Sequence, residues 1–287
     1  METVNCEHVD ERVQRILSLI DSKPDYLTCR QSAEILSKTI KEGSKLQQTV
    51  AETAKSATAS VAIIFDLVQM LLNFSYAIEL KLVDDLTERF EERLWLPFNG
   101  VLEYLDEVLQ LLNPVKKPLV ADGDLEAMSK LKELLECTYW RKGALHYMLC
   151  HTIYHQSQPF SDLSQKDRFV EHCAQGVVYL TTDMRKVRET DLSQEYDCND
   201  TQLLELIKQG IFSDTHMLAV MYSAEMCYWL HLLGDSSKRS QFGGLDACTM
   251  AQQLANQYIS IAEGPLRSAN WNTSLAHTIL ESCQTSL

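Results

Sequence analysis

Apolar residues recur every three or four positions along most of the chain, the spacing of an amphipathic helix, and strictly alternating runs are almost absent. Val9, Val13, Ile16, Leu17 and Ile20 predict a first helix that ends at Lys23-Pro24, and a second spans about 26–41, closed by Gly43. Residues 44–60 are small, polar and weakly periodic, so they read as a frayed helix or a linker. The period returns over 61–82, with Phe65, Val68, Leu72, Tyr76 and Leu80 on one stripe, and two shorter helices flank Pro97. Further helices are expected at 124–156, 162–189, 200–209, 214–233, 246–262 and 272–283. Gly234 and Gly264-Pro265 act as stops, and Asn199 and Asn272 as N-caps.

The segment NPVKKPLVADGD, residues 113–124, is the strongest break, with two prolines, adjacent lysines and an Asp-Gly turn. It predicts an N-terminal helical part at 1–112, a linker at 113–124 and a C-terminal helical part at 125–287; one continuous domain is the alternative. The fold class is all-α with about ten helices, as an irregular bundle or a degenerate helical-hairpin array of the tetratricopeptide kind. Aligning YWRKGALHYMLCH with YSAEMCYWLHLLG gives no consistent repeat.

GIFSDTHMLAVMYSAEMCYW, residues 210–229, is apolar nearly all the way round and therefore belongs in a core. Gly210 suits the end of the preceding helix, and Ser213 or Asp214 can accept from the first free N–H groups. Glu225 lies inside this helix, and Arg141 lies inside ECTYWRKGALHYM. A buried charge without a partner costs several kcal/mol, so a mutual or nearby ion pair that sets helix register is expected for both.

Composition narrows the partners. The chain has 287 residues, is 45% hydrophobic and carries a net charge of −14, which suits a large core and disfavours nucleic acid and anionic lipid. The N-terminus, METVNCEHVDERVQ, has neither the basic nor the apolar region of a secretion signal, and its acidic residues oppose a mitochondrial presequence. A cytosolic location follows as an expectation. The longest apolar run, Val61 to Leu72, falls short of the roughly 20 residues that cross a bilayer, so direct membrane insertion is not expected. Nine cysteines without a CxxC pair suggest reduced thiols packed as small hydrophobes, with no disulfide framework and no zinc ribbon.

Chemical motifs were equally negative. HTIYH, residues 151–155, has the i, i+4 histidines of a zinc peptidase but Thr152 where the general base would stand. His146 and Cys150 are near enough in sequence to suggest a metal cluster, yet a histidine on an apolar helix is more often structural. Cys150 and His151 point about 100° apart on a helix and cannot act as nucleophile and base. Walker A, GxGxxG and GxSxG patterns are missing, and DLSQEYDCND lacks the EF-hand register. No catalytic, cofactor-binding or metal-binding residue is assigned, and no enzyme is expected.

Three blocks carry a resemblance: LLECTYWRKGALHYMLCH (134–151), GIFSDTHMLAVMYSAEMCYW (210–229) and ISIAEGPLRSANWNTSLAHTIL (259–280), with a weaker one at YAIELKLVD (76–84). They resemble the family of the Rab-seven-interacting subunit of the Mon/Ccz complex, formerly an uncharacterised protein family. Within the blocks, Trp140, Arg141, Tyr147, His151, Asp214, His216, Tyr222, Glu225, Trp229, Trp271 and Asn272 match the family as structural candidates. The first 60 residues and the loops at 113–124, 156–168 and 235–246 do not match.

The resemblance implies a non-catalytic accessory subunit, without cofactor, that binds the Mon/Ccz guanine-nucleotide exchange complex and a late-endosomal Rab GTPase. It implies support of that GTPase's stability and recruitment in endolysosomal traffic, mitophagy and autophagy, with the protein drawn from the cytosol to endolysosomal membranes or damaged mitochondria by its partners. The alternative is a free-standing helical-repeat scaffold that grips peptide motifs, with Trp271 and Asn272 lining its groove or capping the last helix.

Overall fold

The computed structural model describes residues 57–88, 95–156, 163–188, 213–233 and 246–285. The helices expected at 9–20, 26–41 and 200–209, the cap Asn199 and the stop at Gly234 lie outside the described residues. Among the described residues the regular structure is entirely helical, in seven helices where about ten were expected for the chain. One compact unit ends at Thr138 and the next begins at Tyr139.

In the first unit, α1 (Ala57–Glu88) packs against α2 (Trp95–Asp122). The interface is aliphatic and sealed: Leu67, Val68 and Leu71 on α1 and Val101, Leu105, Val108 and Leu112 on α2 are fully buried. Each such side chain contributes roughly 1.5–3 kcal/mol of burial. Phe74 meets Tyr104 edge to face at 5.1 Å and 88°. The stripe expected on α1 is corrected at its end, because Tyr76 and Leu80 are 52% and 47% exposed. Steps of four residues advance the face by about 40° each, so the series that begins at buried Val68 and Leu72 has turned outward by Tyr76 and Leu80, while Ile64, Leu67, Leu71, Phe74 and Ile78 stay in the interface.

The two short helices expected around Pro97 and the non-helical linker at 113–124 are also corrected, because α2 is one helix through both. Pro97 occupies the first turn, where a missing N–H is harmless. Pro114 and Pro118 each remove a hydrogen bond in the interior, at about 3 kcal/mol in an isolated helix. The apolar stripe outweighs them, since Leu111, Leu112, Val115 and Leu119 remain buried straight past both prolines. The break is confined to Gly123 and Asp124. Gly123 takes φ +67° and donates its N–H to the Leu119 carbonyl at 3.2 Å, ending α2. Asp124 Oδ1 then accepts from the Ala127 N–H at 3.0 Å, starting α3 (Leu125–Tyr154).

The second unit is built from the end of α3, then α4, α5 (Asp214–Leu233), α6 (Ala247–Glu263) and α7 (Ser274–Thr285). α4 covers 163–188 and is α-helical over Leu163–Val177, widens into a π turn at Val178–Asp183 and resumes at Met184–Arg188. The widened turn carries Leu180 into α3 at Gly143, where any Cβ would collide with the Leu180 side chain. Gly176 serves the same purpose towards α5, since a Cβ there would lie 2.7 Å from Met226 Sδ. α5 contacts α4, α6 and α7, and its Met217, Ala224, Met226, Cys227 and Trp229 are almost wholly buried, as its unbroken apolar circumference predicts. No described helix is long and apolar enough to cross a membrane.

Candidate protein-binding seam

Trp140, Tyr147 and Tyr154 recur every seven residues on α3, and Tyr222 and Trp229 do so on α5. Seven residues are nearly two turns, so each set forms a single line along its helix. The two lines interleave. Trp140 stacks on Tyr222 at 5.9 Å and 16°, Tyr222 on Tyr147 at 3.7 Å and 6°, Tyr147 on Trp229 at 5.9 Å and 13°, and Trp229 on Tyr154 at 5.1 Å and 28°. Stacked pairs of this kind contribute about 0.5–1.5 kcal/mol beyond burial. Trp229 is enclosed, with Phe169 of α4 5.9 Å away, whereas Trp140, Tyr147, Tyr154 and Tyr222 are half-buried and give the seam a solvent side.

Glu225 sits in this seam at 4% exposure, and its Oε2 accepts from the Tyr147 hydroxyl at 2.7 Å. The partner is a phenol rather than the ion pair expected with or near Arg141. Burial raises the Glu225 carboxyl above its ordinary range, and the Tyr147 hydrogen bond partly offsets this. The reciprocal effect is large: burial, then the Glu225 charge and hydrogen bond, push the Tyr147 phenol far above its usual value. Tyr154 and Tyr222 are raised by burial first and then by neighbours that include Glu225. Arg141 is itself buried, at 7% exposure.

The other positions singled out in the sequence have different local surroundings. Ser213 precedes α5, and its N–H donates to His216 Nδ1 at 3.0 Å while the His216 N–H donates to the Ser213 carbonyl at 2.9 Å. His216 thus takes the back-reaching place that glutamate holds in a capping box, and Asp214 is exposed in the first turn, where a carboxylate suits the helix dipole. His151 lies tilted against His155, with ring centres 4.3 Å apart at 48°, and partial burial followed by the His155 charge lowers its pKa. Asn272 Oδ1 accepts from the Ser274 N–H at 3.0 Å, and its carbonyl accepts from the Tyr258 hydroxyl at 3.1 Å, so it caps the last helix and ties it to α6. Trp271 is half-buried beside it, after Asn270 at φ 54°.

Two clusters lie outside the seam: a His146–His172 pair that was not foreseen in the sequence, and buried free thiols that were expected there as small hydrophobes. His146 Nδ1 and His172 Nδ1 are 3.0 Å apart; burial, then His172 and Lys142, hold His146 well below its usual range, and burial, then Arg168, bring His172 down to about 4. Lys142 is 1% exposed with Nζ 4.6 Å from the centre of the Tyr179 ring, at the π turn. Cys150, Cys173, Cys227, Cys283 and Cys248, one from each helix of the second unit, run through its core as free thiols. Burial pushes the Cys227 thiol far above its ordinary range, beyond reactivity, and Cys283 up to about 12. Among the described residues no three His, Cys, Asp or Glu side chains are grouped to hold a metal ion.

An all-helical module with an aromatic seam between two helices and a carboxylate set into it is the class these features define. The family described as "RAB7A-interacting MON1-CCZ1 complex subunit 1" matches residues 36–284, and the chain belongs to that family. A Danio rerio relative so named is 33% identical over 227 residues, covering 76% of this chain and 77% of its own. The Mus musculus protein of that name is 31% identical over 232 residues, covering 74% of each. No solved structure gives a significant match.

Proposed function

We propose that this protein is a non-catalytic accessory subunit that binds a RAB7A-type GTPase and the MON1-CCZ1 exchange complex, and acts through those contacts. The observation that carries the reading is the family match over 36–284, which takes in both helices of the seam. The seam supports it, since half-buried aromatic residues around a desolvated polar group are what protein interfaces use as anchors. In this reading the protein supports the stability and recruitment of the GTPase in endolysosomal traffic and in removal of damaged mitochondria. Its net charge of −14 opposes anionic membranes, so its membrane recruitment runs through the partners.

The test is co-precipitation of the full chain with the exchange complex and with the GTPase in its GDP and GTP states, beside flotation with anionic liposomes. Capture of the complex and the GTPase, with flotation only in their presence, is the expected result. Capture of neither, or strong flotation of the isolated protein, overturns the reading.

A further inference from the structure

The seam has one unfinished polar group. Glu225 is 4% exposed and its Oε2 is satisfied by Tyr147, but no described residue donates to Oε1. That oxygen is not sealed: Ser223 Oγ is the side-chain oxygen found both shut off from solvent and without a partner among the described residues. Oε1 therefore keeps some access to solvent next to the Tyr147 hydroxyl that holds its sister oxygen, in a seam whose half-buried Tyr147 and Tyr222 rings stack at 3.7 Å. Leu232, on the same face of α5, is 44% exposed and extends the seam with apolar surface.

We propose that the seam between α3 and α5 is a docking groove for a segment of a partner protein that presents an arginine, whose guanidinium pairs with Glu225 Oε1 among the aromatic rings. The inference rests on the partner-binding reading above and assigns that binding to a place and a chemistry. An uncharged or acidic segment closing over the seam would strip water from Oε1 and offer nothing in return, which is unfavourable for a buried carboxylate. A cation completes it. Among cations, a guanidinium is planar, sheds water more readily than an ammonium and lies well against aromatic rings, so arginine fits better than lysine. The acidity of the whole chain, at −14, draws the same kind of segment by long-range attraction.

The experiment uses the full chain and its Glu225→Gln variant, which keeps an acceptor for the Tyr147 hydroxyl and removes the charge. Each is applied to arrays of overlapping peptides that cover the RAB7A GTPase and the MON1-CCZ1 subunits, to the intact partners, and to a melting experiment. The parent protein is expected to retain arginine-containing peptides. Glu225→Gln is expected to melt near the parent and to bind those peptides and one intact partner about tenfold more weakly. Replacing the peptide arginine by citrulline, which has nearly the same shape but no charge, should weaken binding to the parent by a similar factor and leave binding to Glu225→Gln unchanged. That comparison keeps the test valid even if the variant is destabilised, because the parent protein alone reads the citrulline effect.

Equal binding of arginine and citrulline peptides, selection of uncharged or acidic peptides, or unchanged capture of intact partners by Glu225→Gln overturns the groove. Capture of neither intact partner by the parent protein defeats instead the functional reading on which the groove rests.

Discussion

The α1–α2 interface and the α3–α5 seam join helices by opposite means. The first is sealed by aliphatic side chains at or near zero exposure, with an edge-to-face contact between Phe74 and Tyr104. The second is held by a column of rings, several open to solvent, around a carboxylate that burial makes harder to ionise. Aliphatic packing is sufficient to hold two helices, so the rings and Glu225 are not needed for that purpose alone. Desolvated polar groups lower stability unless they are fully satisfied. The contrast teaches that the first interface serves the fold, whereas the second retains a stability cost that the docking proposed above would repay.

The largest expected effect breaks the first interface. Phe74→Ala empties a fully buried site and should lower stability by about 3–5 kcal/mol, measured by urea unfolding, while any residual folded protein binds partners as the parent does. Selective loss of partner binding from this change would mean that the two regions do not divide the work as described.

Tyr147→Phe is the sharper probe of the seam, because it keeps the stacked ring and removes the one donor to Glu225 among the described residues. It should cost about 1–3 kcal/mol, the penalty of stranding a buried acceptor, and raise the Glu225 pKa further, followed by carboxylate NMR. A variant as stable as the parent would show that water replaces the hydroxyl without loss.

The pH dependence has two opposing parts. His172 falls from 6.5 to about 4 in the fold and His146 lies well below 6.5, so the unfolded chain takes up protons first. Their contribution is complete above pH 6.5 and is lost as pH falls towards 4. Glu225 has a raised pKa, so its contribution is present below the usual carboxylate value of 4.5 and is lost as pH rises through its folded value. Urea midpoints between pH 7 and 4 should therefore fall less steeply in His172→Asn and more steeply in Glu225→Gln than in the parent. Identical slopes in all three would remove both groups from the account.

The smallest effect provides the baseline. Asp246 starts α6 by accepting from the Thr249 N–H at 2.9 Å, and Asp246→Ala should cost about 1 kcal/mol with no change in partner binding. A drop in binding would extend the recognition surface beyond the seam.

Much of the local structure was legible from neighbouring residues. The 214–233 helix has the limits that its apolar run predicts, the Gly123-Asp124 pair ends one helix and begins the next, and Asn272 caps the last. The heptad spacing of Trp140, Tyr147 and Tyr154 against Tyr222 and Trp229 was a readable signal of the seam, although Tyr154 was not singled out. Helix limits, caps and family membership depend on residues a few positions apart or on the whole pattern of the chain, so the sequence by itself determined them. Only the tertiary structure decided that α2 would run through Pro114 and Pro118, because that balance depends on what α2 buries. It also decided that Glu225 would meet Tyr147, 78 residues away, instead of pairing with or near Arg141, and that His146 would face His172. Such contacts follow from how whole helices are placed against one another, and the composition of either helix alone does not specify which side chain its partner will bring.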